Sequence, residues 1–220
     1  MIRVQVIDDM PLLRIGVATV IEHTPTMRLI RASTSAELDA HRGEEVDVVV
    51  VGVCAAPLGT LGVVRLVRGE LRPPALLALC VQPDAICASV YLRAGATGCG
   101  LVSQSEAELV ESITRVAQGV RCLPAGVDLD DVEELLRTTS RWGLDQLTAR
   151  ECEIFGLLIR GVTNEDAAAQ LGISCRTVET HRRSIMHKLA ARSIVDILHA
   201  AARYGILVSP PRTLPTRGPR

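Results

Sequence analysis

The stretch from Leu147 to Leu189, LTARECEIFGLLIRGVTNEDAAAQLGISCRTVETHRRSIMHKL, constrains the fold most tightly because it carries three helix starts in succession. Thr148 and Glu151 have the spacing of a capping box, and Ile154, Leu157 and Leu158 then recur at helical intervals up to Gly161. Thr163 is placed to cap the next helix, the small residues Ala167, Ala168 and Ala169 admit a close neighbour, and Gly172 supplies a tight turn. Ser174 caps a third helix. On it Val178, Ile185 and Leu189 share one face, while Arg176, Glu179, Thr180, Arg183 and His187 share the opposite one. A helix so divided, after a capped helix and a glycine turn, has the layout of a recognition helix in a helix-turn-helix, which enters the roughly 12 Å major groove.

The outward residues suit double-stranded DNA. Arg183 can fork onto guanine, Glu179 can accept from the cytosine amino group, and the Thr180 methyl can contact thymine. Arg176, Arg182, Lys188 and Arg192 surround this stripe and suit phosphates, which fix register without reading sequence. A solvated basic helix is the plain alternative, but the three correctly spaced starts favour DNA. These motifs, with the helix that follows, resemble the LuxR/NarL-type DNA-binding domain over residues 145–207. The resemblance implies base readers at Glu179, Thr180 and Arg183 and phosphate contacts at Thr177, Arg182 and Lys188. It also implies a homodimer through a last helix starting at the cap Ser193, with Ile194, Ile197 and Ala201 as candidate seam residues. Glu179 stands where many members carry lysine, so the operator sequence does not transfer.

The 220 residues suffice for two domains, and 48% hydrophobic residues exclude a mainly disordered chain. A net charge of −1 hides the local basic run from Arg176 to Arg192, opposed there only by Glu179. The longest apolar run, Val48 to Val53, is too short for a bilayer, and the chain opens directly into a strand, so a cytoplasmic protein with no membrane contact is expected. Seven cysteines without a CxxC pair suggest buried thiols in a reducing compartment, with no metal and no cofactor expected. Aromatics make up only 2%, so the core must be aliphatic.

The first half alternates short apolar strands with amphipathic segments in five βα units, and runs such as VDVVVVGV and PALLALCV suit strands buried on both faces. The expected fold class is α/β plus all-α: a five-stranded parallel doubly wound domain over 1–122, a helical linker over 123–144, a four-helix helix-turn-helix domain over 145–207 and a disordered tail over 208–220. Through VIDDMPLLRIGV and LRAGATGCG the first domain resembles the receiver of two-component response regulators. A working receiver needs an acidic pair for magnesium, an aspartate after the third strand, a hydroxyl after the fourth and a lysine after the fifth. Here Asp8 and Asp9 remain, but Gly52 stands at the acceptor, Cys80 at the hydroxyl, Val102 at the lysine and Cys99 at the switch aromatic. Lys188 is the sole lysine in the chain, so no realignment restores that residue.

Glycine offers no nucleophile, so conventional aspartyl phosphorylation is not expected. Two readings of the acidic pair stand open. Asp8 or Asp9 caps the first helix near Pro11 and the other is a solvated remnant, or Asp8, Asp9, Gly52, Cys54 and Cys80 line a candidate pocket for a neutral or cationic metabolite. Tyr91 and Leu92 are candidate anchors of a receiver dimer face. In the linker, DLDDVEELLR reads as a helix with Leu129, Val132, Leu135 and Leu136 on its apolar side. The function expected is a dimeric transcription regulator, not an enzyme, set by abundance, a small-molecule ligand or a partner regulator. The alternative is an interaction protein that heterodimerises with another regulator through its receiver-like domain. Arginine and alanine richness with one lysine resembles actinobacterial coding bias, and the resemblance to atypical receivers there implies roles in development or secondary metabolism.

Overall fold

The computed structural model describes residues 1–41, 45–54, 59–71, 75–81, 85–137, 143 and 146–203. Its first part is a five-stranded parallel sheet in the order β2-β1-β3-β4-β5, built from β1 (Ile2–Ile7), β2 (Met27–Ser33), β3 (Val48–Val51), β4 (Ala75–Cys80) and β5 (Gly98–Leu101). Alternation along the strands assigns each residue to one of two cores. On β3, Val48 and Val50 join Val4, Val6, Leu77 and Leu79 on one face, packed against α1 (Pro11–His23) and α4 (Glu106–Ala117). Val49 and Val51 join Ile7, Leu76 and Ala78 on the other, packed against α2 (Gly59–Glu70) and α3 (Ala85–Arg93). Both faces are covered at the centre of the sheet, which is why β3 and β4 read as continuous apolar runs.

The strand order reverses direction between β1 and β3, so the loops after these two strands diverge there and bring Asp8, Asp9 and Gly52 together at one apex. Asp47 lies at the opposite end, where its carboxylate accepts from the Arg3 amide at 2.8 Å and its guanidinium at 2.9 Å. The second crossover departs from expectation: Ser35–His41 forms a seven-residue 3-10 helix rather than an α-helix. The Glu37 carboxylate accepts from the Thr34 amide and hydroxyl at its start.

A linker helix, α5 (Leu129–Arg137), follows and lies against α3, with Val132 buried and the Arg93 guanidinium donating to the Leu135 carbonyl. Four helices complete the described chain: α6 (Ala149–Ile159), α7 (Asn164–Leu171), α8 (Cys175–Lys188) and α9 (Ile194–Arg203). The tail expected to be disordered lies outside the described residues. Among the described residues no helix is long and apolar enough to cross a membrane.

Candidate nucleic-acid interface and the receiver apex

The helix starts hold as read. The Thr148 hydroxyl accepts from the Glu151 amide while the Glu151 carboxylate accepts from the Thr148 amide, a complete capping box. Thr163 and Ser174 accept from the amides of Asp166 and Thr177, each at 3.1 Å, and Gly172 closes α7 in the left-handed region at φ 62°. Val178 and Ile185, two helical turns apart, are fully buried and seat α8 on α6 and α7. Arg176, Glu179, Thr180, Arg183 and His187 face outward from the same helix. The Thr180 hydroxyl donates to the Arg176 carbonyl at 2.9 Å, which leaves its methyl as the outward group.

Two cross-links orient α8. The Arg182 guanidinium reaches the Asn164 side-chain oxygen at 3.3 Å at the start of α7, and Glu151 accepts from Ser184 at 2.6 Å and Lys188 at 2.7 Å. Glu151 is buried. Burial raises its pKa, but hydrogen bonds from Lys188, Ser184 and Thr148 outweigh that and bring it down to about 2. Lys188 stays partly exposed, with its ammonium 2.7 Å from the Glu151 carboxylate on α6 and further donors free to point outward. The capping role of Glu151 is legible in the sequence; its ion pair with the chain's single lysine, 37 positions away, is not.

The last helix corrects an expectation. Ser193 and Asp196 cap it reciprocally, with Asp196 also accepting from the Arg192 amide at 2.8 Å. Ile197 and Ala201 are fully buried in the domain core, on the side of α9 that packs on α6, so they cannot form a seam between copies. Among the described residues, the large apolar side chains that α9 exposes are Ile194 and Val195.

At the receiver apex, Asp8 is fully buried, accepting from the Met10 amide at 2.7 Å and the Val53 amide at 3.1 Å. Burial raises its pKa to about 6 despite these two amides. Asp9 is not a solvated remnant, since it accepts from the Ser35 amide and hydroxyl, both at 2.7 Å. A Cβ on Gly52 would lie 1.8 Å from the Asp8 Oδ2, so the Asp8 carboxylate occupies the space a side chain at 52 would need. Of the other residues named for the candidate ligand pocket, Gly52, Cys54 and Cys80 are buried and Asp9 is half-buried.

The donor set falls short of the magnesium site a receiver would hold, because Gly52 adds no carboxylate to Asp8 and Asp9, whose oxygens each already accept one hydrogen bond. Among the described residues no group of three or more His, Cys, Asp and Glu side chains is arranged to hold a metal. Burial and the charges of Asp9 and Asp8 push the Cys54 thiol well above its usual range, which removes it as a nucleophile. Val102 is half-buried against the apolar core of α1 and α4. Tyr91 is buried rather than an exposed anchor. It lies among Cys80, Cys87 and Cys99, so a ring borne by α3 packs beside the small residue at the switch position on β5, and burial raises its pKa well above the usual value.

Residues 145–201 match the family described as bacterial regulatory proteins of the luxR family. The chain is 29% identical to the transcriptional regulatory protein MctR of Rhizobium johnstonii, covering 94% of this chain and 95% of that one. It is 30% identical to the nitrate/nitrite response regulator protein homolog of Haemophilus influenzae, covering 88% and 93% of the two chains. In fold it is similar to RcsB of Salmonella enterica serovar Typhimurium, solved bound to a promoter, with a TM-score of 0.60 over 92% of this chain and 99% of that one at 15% identity.

Proposed function

Because the chain belongs to the LuxR/NarL-type response regulators, which are DNA-binding transcriptional regulators and not enzymes, we propose that it binds a roughly palindromic site as a homodimer without aspartyl phosphorylation. The observation that carries this reading is the Asp8 carboxylate lying in the space of a residue-52 side chain, where glycine offers no phosphoryl acceptor. The receiver-like domain over 1–122 and the linker over 123–144 hold the DNA-binding domain over 145–207. Activity then follows abundance, a small ligand or a partner regulator.

On DNA, Glu179, Thr180 and Arg183 read bases, while Arg176, Thr177, Arg182, Lys188 and Arg192 meet phosphates and His187 lies at the edge of the interface. Support for self-association comes from exposed apolar residues in both domains: Val195 beside Ile194 on α9, and Leu12 at 85% and Ile15 at 60% exposure on α1. Selection of full-length protein against a random DNA pool at fixed salt tests the reading. Enrichment of a palindrome supports it. Asymmetric half-sites that require a second regulator replace the homodimer with a heterodimer.

A further inference from the structure

Two adjoining clefts lie where the chain leaves the sheet for the linker, and DNA binding uses neither. One, about 350 Å³, is bounded by Glu108, Glu111, Ser112 and Arg115 on α4 and by Cys122 and Leu123 on the exit segment. The other, about 320 Å³, is bounded by Arg115, Arg121, Leu123, Val127, Leu129 and Glu133. Arg115 and Leu123 line both, and each cleft has the volume of a small-molecule site. Gly119 at φ 75° and Gly126 at φ 85° bound the exit segment with left-handed turns. Next to these turns the Val120 amide donates to the Arg115 carbonyl and the Val127 amide to the Pro124 carbonyl, so the bend has a defined shape.

Charge and polarity are divided along the second cleft. Arg115 is half-exposed; it forms an i,i+4 ion pair with Glu111 at 3.7 Å and donates a long hydrogen bond to the Arg121 carbonyl at 3.4 Å, which leaves its other guanidinium donors to the cleft. Arg121 is exposed beside it. Glu108, on the first cleft, has one carboxylate oxygen committed to the Ser105 amide and hydroxyl. Leu123 and Val127 are half-buried and Leu129 is 47% exposed, giving an apolar floor next to two guanidinium groups. Glu133 lines the α5 side of this cleft, so an anionic head group is held at the Arg115–Arg121 end, away from it.

We infer that this groove binds a small amphipathic carboxylate with a single anionic end. Its head group bridges Arg115 and Arg121, and its hydrocarbon body covers Leu123, Val127 and Leu129. Forked guanidinium donors match a carboxylate, and the apolar floor adds affinity that acetate cannot obtain. The groove is made partly by the start of α5, so an occupant fixes the linker helix relative to α4.

Calorimetric titration of the full-length protein with octanoate, octanol and acetate tests the inference. Saturable octanoate binding is expected, with octanol and acetate weaker by about tenfold or more. The double variant Arg115→Gln/Arg121→Gln, at exposed positions, should keep its thermal midpoint and lose octanoate affinity by about tenfold. No saturable octanoate binding, equal binding of octanol, or full binding by the double variant overturns the inference. A double variant that binds octanoate normally but sediments as a smaller species overturns it in favour of a contact with the acidic α5 of a second copy.

Discussion

Asp8 and Gly52 share one space: the Asp8 Oδ2 lies 1.8 Å from where a Cβ on residue 52 would stand. Any side chain at 52 must expel a carboxylate that accepts two backbone amides. Gly52→Ala should therefore cost about 1–3 kcal/mol, and Gly52→Asp should not create a phosphorylatable residue. A denaturation cycle with Asp8→Ala checks the pairing, since removing the carboxylate should recover most of the loss at 52. Additive costs would contradict it.

Asp8 also sets a pH dependence. Its folded pKa, raised by burial to about 6 from 3.8, means the folded state holds this proton more tightly than the unfolded chain. The resulting stabilisation is fully present below the unfolded value and is lost as pH rises through about 6. Thermal midpoints should fall between pH 5 and pH 7, and Asp8→Asn should flatten that slope. An unchanged slope would contradict the assignment.

In the DNA-binding domain, Glu151 acts in the opposite sense, because its folded pKa is lowered to about 2. Its contribution is present above the unfolded value of 4.5 and is lost as pH falls toward 2. Glu151→Gln should destabilise this domain by about 2–3 kcal/mol, since it leaves Lys188 without its partner. Chemical denaturation followed by circular dichroism measures the cost.

Variants on α8 should separate into two classes. Arg183→Ala should cost about 1–3 kcal/mol on the selected site and relax preference at one base position. Arg176→Ala should weaken binding to all sequences alike and reduce the salt slope by about one. Titrations at several salt concentrations, on cognate and scrambled duplexes, distinguish them.

On α9, Val195→Glu should weaken binding to a palindrome while leaving the fold intact, whereas Ile197→Glu should unfold the domain because Ile197 is fully buried. Thermal melts paired with binding curves read both effects. Equal stability of the two variants would place the core of α9 elsewhere.

Local chemistry was the part of this molecule most legible in the sequence. The caps at Thr148, Thr163 and Ser174 announce their helices because short side chains satisfy amides a few residues away. Alternating burial along the valines of β3 follows from strand geometry alone. What the sequence hides is contact over distance. An apolar pair at i and i+4, such as Ile197 and Ala201, looks the same whether it faces a partner or its own core, and only the packing of α9 on α6 decides. The missing acceptor at Gly52 is visible in the sequence, but not that Asp8 fills the space, because the two are joined only by the pairing of β1 with β3.

The most direct test compares the affinity of full-length protein for its selected DNA site before and after incubation with acetyl phosphate and magnesium, with mass spectrometry of the treated protein. Unchanged affinity, within about twofold, and no acid-labile phosphoryl adduct are expected. An aspartyl phosphate accompanied by a gain of about tenfold or more would contradict it.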